Sequence, residues 1–401
     1  MALRPIEPDS RRAWVAVVAA AGANGMAFGT AYTFGTFFGS MADEFGSERG
    51  STALLFGVTL LFFFGFGTLS GPLSDRFGHH RLLAVGGVLF VTGIVLTARV
   101  DSIALGYVTY GVGVGVGGGC FTAPLTALVG QLFVGSRALA LGVLATGNGL
   151  GTLIMSPLAE RLIEADGWRS AYRTIAVIAG VIFAAALPAV WVRSTTVPPP
   201  GRREGPMSYA FLSTPGFRAL FISATLMSIG LFVAFAFIVP FATDEGISSS
   251  GASRLVAIIG LTSIVGRLSL TNATKRYGVT RVYQAALAVQ PVAYAIWLVA
   301  GGSYALLVLF AAVLGVAYGG FVAISPAMLI EQAGMESLGR KMGAIFLSFG
   351  IGGLIGPPAA GAIADASSGR TAPIVVVIVI LLVAAAATRP LSAARPLSEA
   401  A

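Results

Sequence analysis

The sequence is poor in the residues that soluble proteins use to face water. Only 10% of its 401 residues are Asp, Glu, Lys or Arg, against about 25% in soluble globular domains, which excludes an ordinary water-exposed surface. It has one cysteine, Cys120, which excludes an intrachain disulfide and a cysteine-built metal cluster and leaves it as a small side chain packed between helices. It has two histidines, His79 and His80, adjacent to one another, and they read as a solvated loop. The sequence has no HExxH, and no GK[ST] follows the glycine-rich stretch GVGVGVGGG, Gly111 to Gly119. Neither a zinc hydrolase nor a phosphate-binding loop is therefore expected. No nucleophile and base share an apolar segment, so an enzyme is not expected, and neither is a cofactor or a metal.

What is abundant is hydrocarbon: 56% of the residues are hydrophobic and the mean hydropathy is +0.86. A bilayer crossing takes roughly 20 apolar residues, and about twelve such runs stand near 13–38, 51–74, 82–98, 103–132, 138–159, 172–192, 217–243, 251–271, 281–300, 304–330, 341–364 and 372–388. The fold class is therefore all-α integral membrane. The net charge of +8 does not point to nucleic acid, because the basic residues stand singly or in pairs at the ends of the runs. With the N-terminus placed in the cytoplasm, about 17 Lys and Arg fall on the inner side and about 7 on the outer, as the positive-inside rule requires. The chain is expected to be multi-pass in the plasma or inner membrane, lipid around it, both termini cytoplasmic. The opening MALRPIEPDSRR is polar and no A-x-A-like cleavage site closes a short apolar segment, so no secretory signal is expected.

The one long polar interval, RSTTVPPPGRREGPMSYAFLSTPGFR, Arg193 to Arg218, reads as a linker between two groups of six helices. The expected division is a bundle over 1–192, a cytoplasmic linker over 193–216 and a second bundle over 217–401. An internal repeat supports it. Asp75-Arg76-Phe77-Gly78 with Arg81 matches Lys275-Arg276-Tyr277-Gly278 with Arg281; GLGTLIMSP, Gly149 to Pro157, matches GIGGLIGPP, Gly350 to Pro358; Gly113, Gly118 and Pro124 match Gly315, Gly320 and Pro326. Six spans separate the copies, so the halves share one orientation and are related by an axis along the membrane normal, which places a central cavity at their interface. The glycines of 111–119 are expected to let neighbouring helices approach closely.

GPLSDRFGHHR, Gly71 to Arg81, resembles the loop signature between helices 2 and 3 of the major facilitator superfamily, with His80 at a position usually basic. Gly71 and Gly78 would allow a tight turn there, and Asp75 can accept hydrogen bonds from a helix N-terminus or an arginine. The resemblance implies that the loop, with Gly71, Asp75, Arg76, Gly78, Arg81 and the repeat residue Arg276, acts as a gate latch. Three further segments resemble the monocarboxylate porter family and its oxalate:formate antiporter relatives: FVGSRALALGVLATGNGLG, VPFATDEGISSSGASRLVAIIGLTSIVGRL and GVAYGGFVAISP. In that family an arginine in helix 8 is implied to hold the substrate carboxylate, and Arg267 matches it. The acidic residue that eukaryotic members carry four positions earlier is Ser263 here, and Tyr32 stands near the position of their helix 1 lysine. Helix 11 lacks the second cation implied for oxalate carriers.

Arg267 also stands out without the family. It is the only one of 25 cations deep in a run, and none of the 17 acids falls within one. A guanidinium keeps its charge at any depth, and an intramembrane charge carries a penalty of about 3 kcal/mol unless it meets a partner or a water-filled cavity. With no acid inside, an anion from outside the chain is the expected partner, and a bidentate guanidinium suits a carboxylate; hydrogen bonds to helix-end carbonyls are the alternative. Candidates for the rest of the pocket are Asn24, Phe28, Tyr32, Asn148, Phe235, Tyr318 and Ser348, with helix packing as the alternative role for each. The expected function is secondary active transport of a small organic anion, a monocarboxylate, by alternating access, coupled to a proton or to a counter-anion, in a monomer. A dicarboxylate or oxalate-type antiporter, or an exporter of drugs or other solutes, is the alternative; a drug or cation exporter usually needs an acid in its cavity.

Overall fold

In a computed structural model of the chain, residues 4–194, 210–334, 338–367 and 371–392 are described. Most of the expected linker, 195–209, and the side chain of Asp75 lie outside them. The helices are α1 (Arg11–Tyr32), α2 (Phe34–Phe45), α3 (Arg49–Phe77), α4 (His79–Thr97), α5 (Ile103–Gly106), a π-helical stretch (Tyr107–Val114), α6 (Gly115–Gly119), α7 (Thr122–Leu132) and α8 (Arg137–Val190). The second half holds α9 (Pro215–Asp244), α10 (Ser249–Tyr277), α11 (Val279–Ala300), α12 (Tyr304–Ala333), α13 (Leu338–Ser367) and α14 (Thr371–Ala386). Eleven helical segments among the described residues are long and apolar enough to cross a membrane. The longest, α8, contains the fifth and sixth expected crossings, joined without a gap where Gly167 leaves helical geometry at φ 77°. A positive φ strains any residue with a Cβ, so one glycine makes the reversal for which a loop was expected.

The turn signature divides differently from the expectation. Gly78 is the turn, at φ +87°, and its repeat partner Gly278 does the same at +82°. Gly71 lies inside α3, with open space where a Cβ would be, so it makes no turn. The repeat extends to the neighbouring cations: Arg76 lies over the Phe77 ring at 5.1 Å and Arg276 over Tyr277 at 5.3 Å. The histidines are not solvated. His80 is 7% exposed and its ring lies 4.3 Å from that of Trp191, while His79 Nε2 meets the Val190 carbonyl at 3.1 Å.

The repeat motifs mark the seams between halves. α8 runs against α10, and α13 against α3, so each half contributes one fifth-helix motif to the other half's second helix. A Cβ on Gly149 would lie 2.8 Å from the Gly260 carbonyl oxygen, and one on Gly57 3.1 Å from that of Gly353. Within the first half, the glycines of 111–119 act as expected: a Cβ on Gly117 would sit 2.5 Å from the Phe90 amide nitrogen on α4. In a bilayer, where lipid is as apolar as leucine, such close backbone packing is a main source of helix association.

The described segments nearest the two chain ends, Arg4–Ile6 and Arg389–Ser392, share one face of the bundle. There Arg4–Ile6 pairs in parallel with Val192–Ser194, and the Asp9 carboxylate accepts the amide N–H of Val134, Gly135 and Ser136 at 2.9–3.1 Å. On the opposite, far face the halves are tied together. Arg49 pairs with Asp244 at 3.3 Å, the Gly50 amide donates to Asp365 at 3.1 Å, and Ser156 donates to the Ser253 carbonyl at 3.0 Å while its hydroxyl also meets Thr36 at 3.2 Å. Glu160, one residue past the expected end of the fifth run, is helical and only 6% exposed.

Candidate functional site

Arg267 sits on α10, ten residues from the end of that helix at the terminus-bearing face, or about 15 Å at 1.5 Å per residue. Small neighbours make room for it: Gly266 lies against the Val316 backbone of α12, and Arg267 itself is 7% exposed. One guanidinium nitrogen, Nη1, crosses the seam and donates to the Ala145 carbonyl of α8 at 2.5 Å. The other two, Nε and Nη2, are buried and have no partner among the described residues. A buried donor without an acceptor carries a penalty of about 1–3 kcal/mol, so the site holds two directed, unmet N–H groups and a full positive charge.

Aromatic rings from both halves meet at the same junction, with Tyr32 within the field of Arg267. Phe28 and Tyr32 of α1 meet edge to face at 5.4 Å; Tyr32 lies 4.4 Å from Phe235 of α9, and Phe235 lies 6.3 Å from Tyr318 of α12. All four are buried. The Tyr32 hydroxyl interacts with that of Tyr318, within the field of Arg267. Tyr32, Phe235, Tyr318 and Arg267 thus share one locus at the junction of the halves, with Phe28 packed behind them against Phe63 and Phe64.

The asparagines form a second polar cluster next to it. Asn24 Nδ2 donates to Asn148 Oδ1 at 2.5 Å, and Thr122 donates to Asn24 Oδ1 at 3.2 Å. This leaves the Asn148 amide nitrogen without a partner among the described residues. Asn148 stands one turn from Ala145 on α8, so its free amide and the guanidinium belong to the same level of the seam. Sequence reasoning missed Thr122; its signal was a hydroxyl just after the break at Cys120 and Phe121, inside an apolar run. Ser348 is not brought to this locus by any contact: its hydroxyl donates to the Ile345 carbonyl at 2.6 Å and its own carbonyl accepts from Ser228 at 3.3 Å. Ser263, four residues before Arg267, donates to its own helix at Gly260.

The locus therefore consists of donors and ring faces, and no carboxylate forms a salt bridge with Arg267 among the described residues. Its chemistry suits an anion with a planar pair of oxygens. Among the described residues no group of three or more His, Cys, Asp or Glu is placed to hold a metal.

Twelve crossings in two like-oriented halves, with a charged locus at their junction, define a membrane carrier. The profile of the Major Facilitator Superfamily matches residues 20–272 and 220–400, and the chain belongs to that superfamily, whose members are transporters rather than enzymes. Its relatives include Monocarboxylate transporter 12 of Xenopus laevis, 27% identical over 321 residues, 72% of this chain and 69% of that one. Monocarboxylate transporter 3 of Rattus norvegicus is 28% identical over 383 residues, 90% and 75% of the two chains. Among solved structures, a bacterial homolog of the human lysosomal transporter Spinster, inward-facing and unoccupied, superposes with a TM-score of 0.76 over 96% of this chain and 98% of that one, at 15% identity. That likeness concerns the fold.

Proposed function

We propose that the protein is a secondary active carrier of a small organic anion, a monocarboxylate, which binds with its carboxylate on Arg267 and crosses by alternating access. The observation that carries this reading is the pair of buried, unpartnered guanidinium nitrogens, Nε and Nη2. These are the two N–H directions that a carboxylate accepts side by side. The names of the relatives add the same substrate class. Tyr32, Tyr318 and Asn148 supply the remaining donors, Asn24 and Thr122 orient Asn148, and Phe235 faces the organic part with Phe28 as its packing support.

The links across the far face leave the site to be reached from the face that bears the termini. We place both termini in the cytoplasm of a plasma or inner membrane, because the basic residues concentrate on that side. The empty carrier holds an uncompensated charge at the seam, and a bound carboxylate neutralises it. The loaded protein therefore reorients with less electrostatic penalty than the empty one, which favours exchange of one anion for another over net flux. Gly78, Gly278, Arg76, Arg81 and Arg276 form the turns about which the halves rock.

The test is a thermal-shift screen of purified protein against mono- and dicarboxylates, run beside Arg267→Ala. Ligands that bind the folded state raise its stability with concentration. A monocarboxylate that stabilises the wild type and not the variant supports the assignment; equal response of both, or none, removes it. Counterflow in proteoliposomes tests the coupling: rapid net flux with no anion on the opposite side contradicts exchange.

A further inference from the structure

The first half carries a second recess, unrelated to Arg267. It is a cavity of about 370 Å³ between α4, α7 and the second part of α8. Leu83, Gly87 and Val91 line it from α4, Phe121 closes its inner side, and Gly180 and Val190 line it from α8. It faces outward into the bilayer, since Val88 on its α4 wall is 67% exposed and Val181, beside Gly180, is 64% exposed. Its walls are almost wholly apolar, so water finds too few partners to fill it. From Leu83 to Thr92 it runs nine residues along α4, about 14 Å. That is about half of a hydrocarbon core roughly 30 Å thick, or the depth of one leaflet, on the side of the terminus-bearing face.

The mouth at that face is polar. His80 lies one turn before Leu83 on the same stripe of α4 and is 7% exposed, and its Nδ1 is buried with no partner among the described residues. Its ring lies against Trp191, the residue that follows Val190. Arg81, next in sequence, is exposed at the same level. An apolar slot one leaflet deep thus ends at the packed His80 and Trp191 rings and the exposed Arg81 guanidinium.

We infer that this groove is a binding site for one anionic phospholipid of the adjacent leaflet, with an acyl chain in the slot between α4 and α8 and the headgroup phosphate held by Arg81, beside the His80–Trp191 ring pair. Hydrocarbon fills the space that protein leaves empty, and the phosphate oxygens accept from the Arg81 guanidinium. The floor of the slot includes Ala23, the residue before Asn24, so the lipid also supports the stretch of α1 that carries the asparagine pair. The inference stands independently of the carboxylate reading.

Native mass spectrometry of the full chain, released from nanodiscs of equal phosphatidylglycerol and phosphatidylcholine, tests it. The wild type should retain one phosphatidylglycerol in preference to phosphatidylcholine by at least fivefold. Gly180→Leu fills the slot, and its Cβ meets nothing within 4 Å; it should lose the retained lipid of either class. Arg81→Gln should keep a lipid and lose the preference. Ala184→Leu, on the same wall, replaces Gly180→Leu if that variant is not monodisperse. No headgroup preference in the wild type, undiminished retention in both slot-filling variants, or a protein dimer that Gly180→Leu dissociates would each overturn the site.

Discussion

Replacing Arg267 by methionine should abolish anion binding without weakening the fold. The magnitudes come from three nitrogens. Nη1 makes one charge-assisted bond to the Ala145 carbonyl, which contributes about 1.5–3 kcal/mol. Nε and Nη2 are buried and unmet, each with a penalty of about 1–3 kcal/mol, and the charge adds about 3 kcal/mol at such depth. Methionine fills a similar volume, releases all three penalties and forfeits the single bond, leaving only the Ala145 carbonyl to be satisfied by its own helix. The balance is a gain of about 2 to 7 kcal/mol, an upper bound because the charge and the unmet donors belong to one group. Thermal unfolding in detergent, followed by tryptophan fluorescence, should give Arg267→Met a Tm equal to or above that of the wild type in the absence of ligand. A clear fall in Tm would show that the guanidinium holds the halves together, and the reasoning from its unmet donors would fail.

Other consequences follow from the seams and the loops. Asp244→Asn weakens a half-exposed pair worth about 0.2–1 kcal/mol, so the far face should open about 1.4- to 5-fold more often. Labelling of Ser253→Cys in a Cys120→Ser background by an impermeant thiol reagent reads this, and an unchanged rate contradicts it. Gly149→Leu places a side chain against the Gly260 carbonyl and Ile264; it should cut transport at least tenfold by blocking closure of the far face, whereas Gly142→Leu, with open space at its Cβ, should transport normally. The amides of Gly135, Ser136 and Val134 hold the Asp9 carboxyl below its ordinary value of 3.8. Its folded value is the lower one, so the stabilisation is present above 3.8 and is lost as pH falls through the depressed value. Asp9→Asn should therefore lower Tm at pH 7 and flatten its acid limb; parallel Tm curves for the two proteins would contradict this.

The twelve crossings were legible because hydropathy over 20 residues averages out individual side chains, and the repeat was legible because it conserves spacing. The seams were not read from it: only the structure shows that glycines of the repeat motifs mark where backbones of the two halves meet. The site was legible in part. Arg267 announced itself as the one deep cation, and Tyr32, Phe235 and Tyr318 meet beside it because aromatic residues of this size reach across the junction. Thr122 and Ser348 show the limit: each is a hydroxyl in an apolar run, and only the azimuth of its helix decides that one joins the asparagines and the other bonds its own backbone. The same limit hid the burial of His80, which depends on where Trp191 ends α8, and that of Glu160, which stood one residue beyond a loosely drawn boundary. The π-helical stretch at Tyr107–Val114 left no mark at all, because glycine and valine in alternation fit an ordinary helix equally well.

The most direct test of the central claim is uptake of a radiolabelled monocarboxylate, chosen from the stability screen, into proteoliposomes preloaded with the same anion. The account predicts saturable exchange by the wild type and loss of at least a hundredfold in Arg267→Met, with the variant folded and correctly inserted. Exchange that survives without the guanidinium would contradict it.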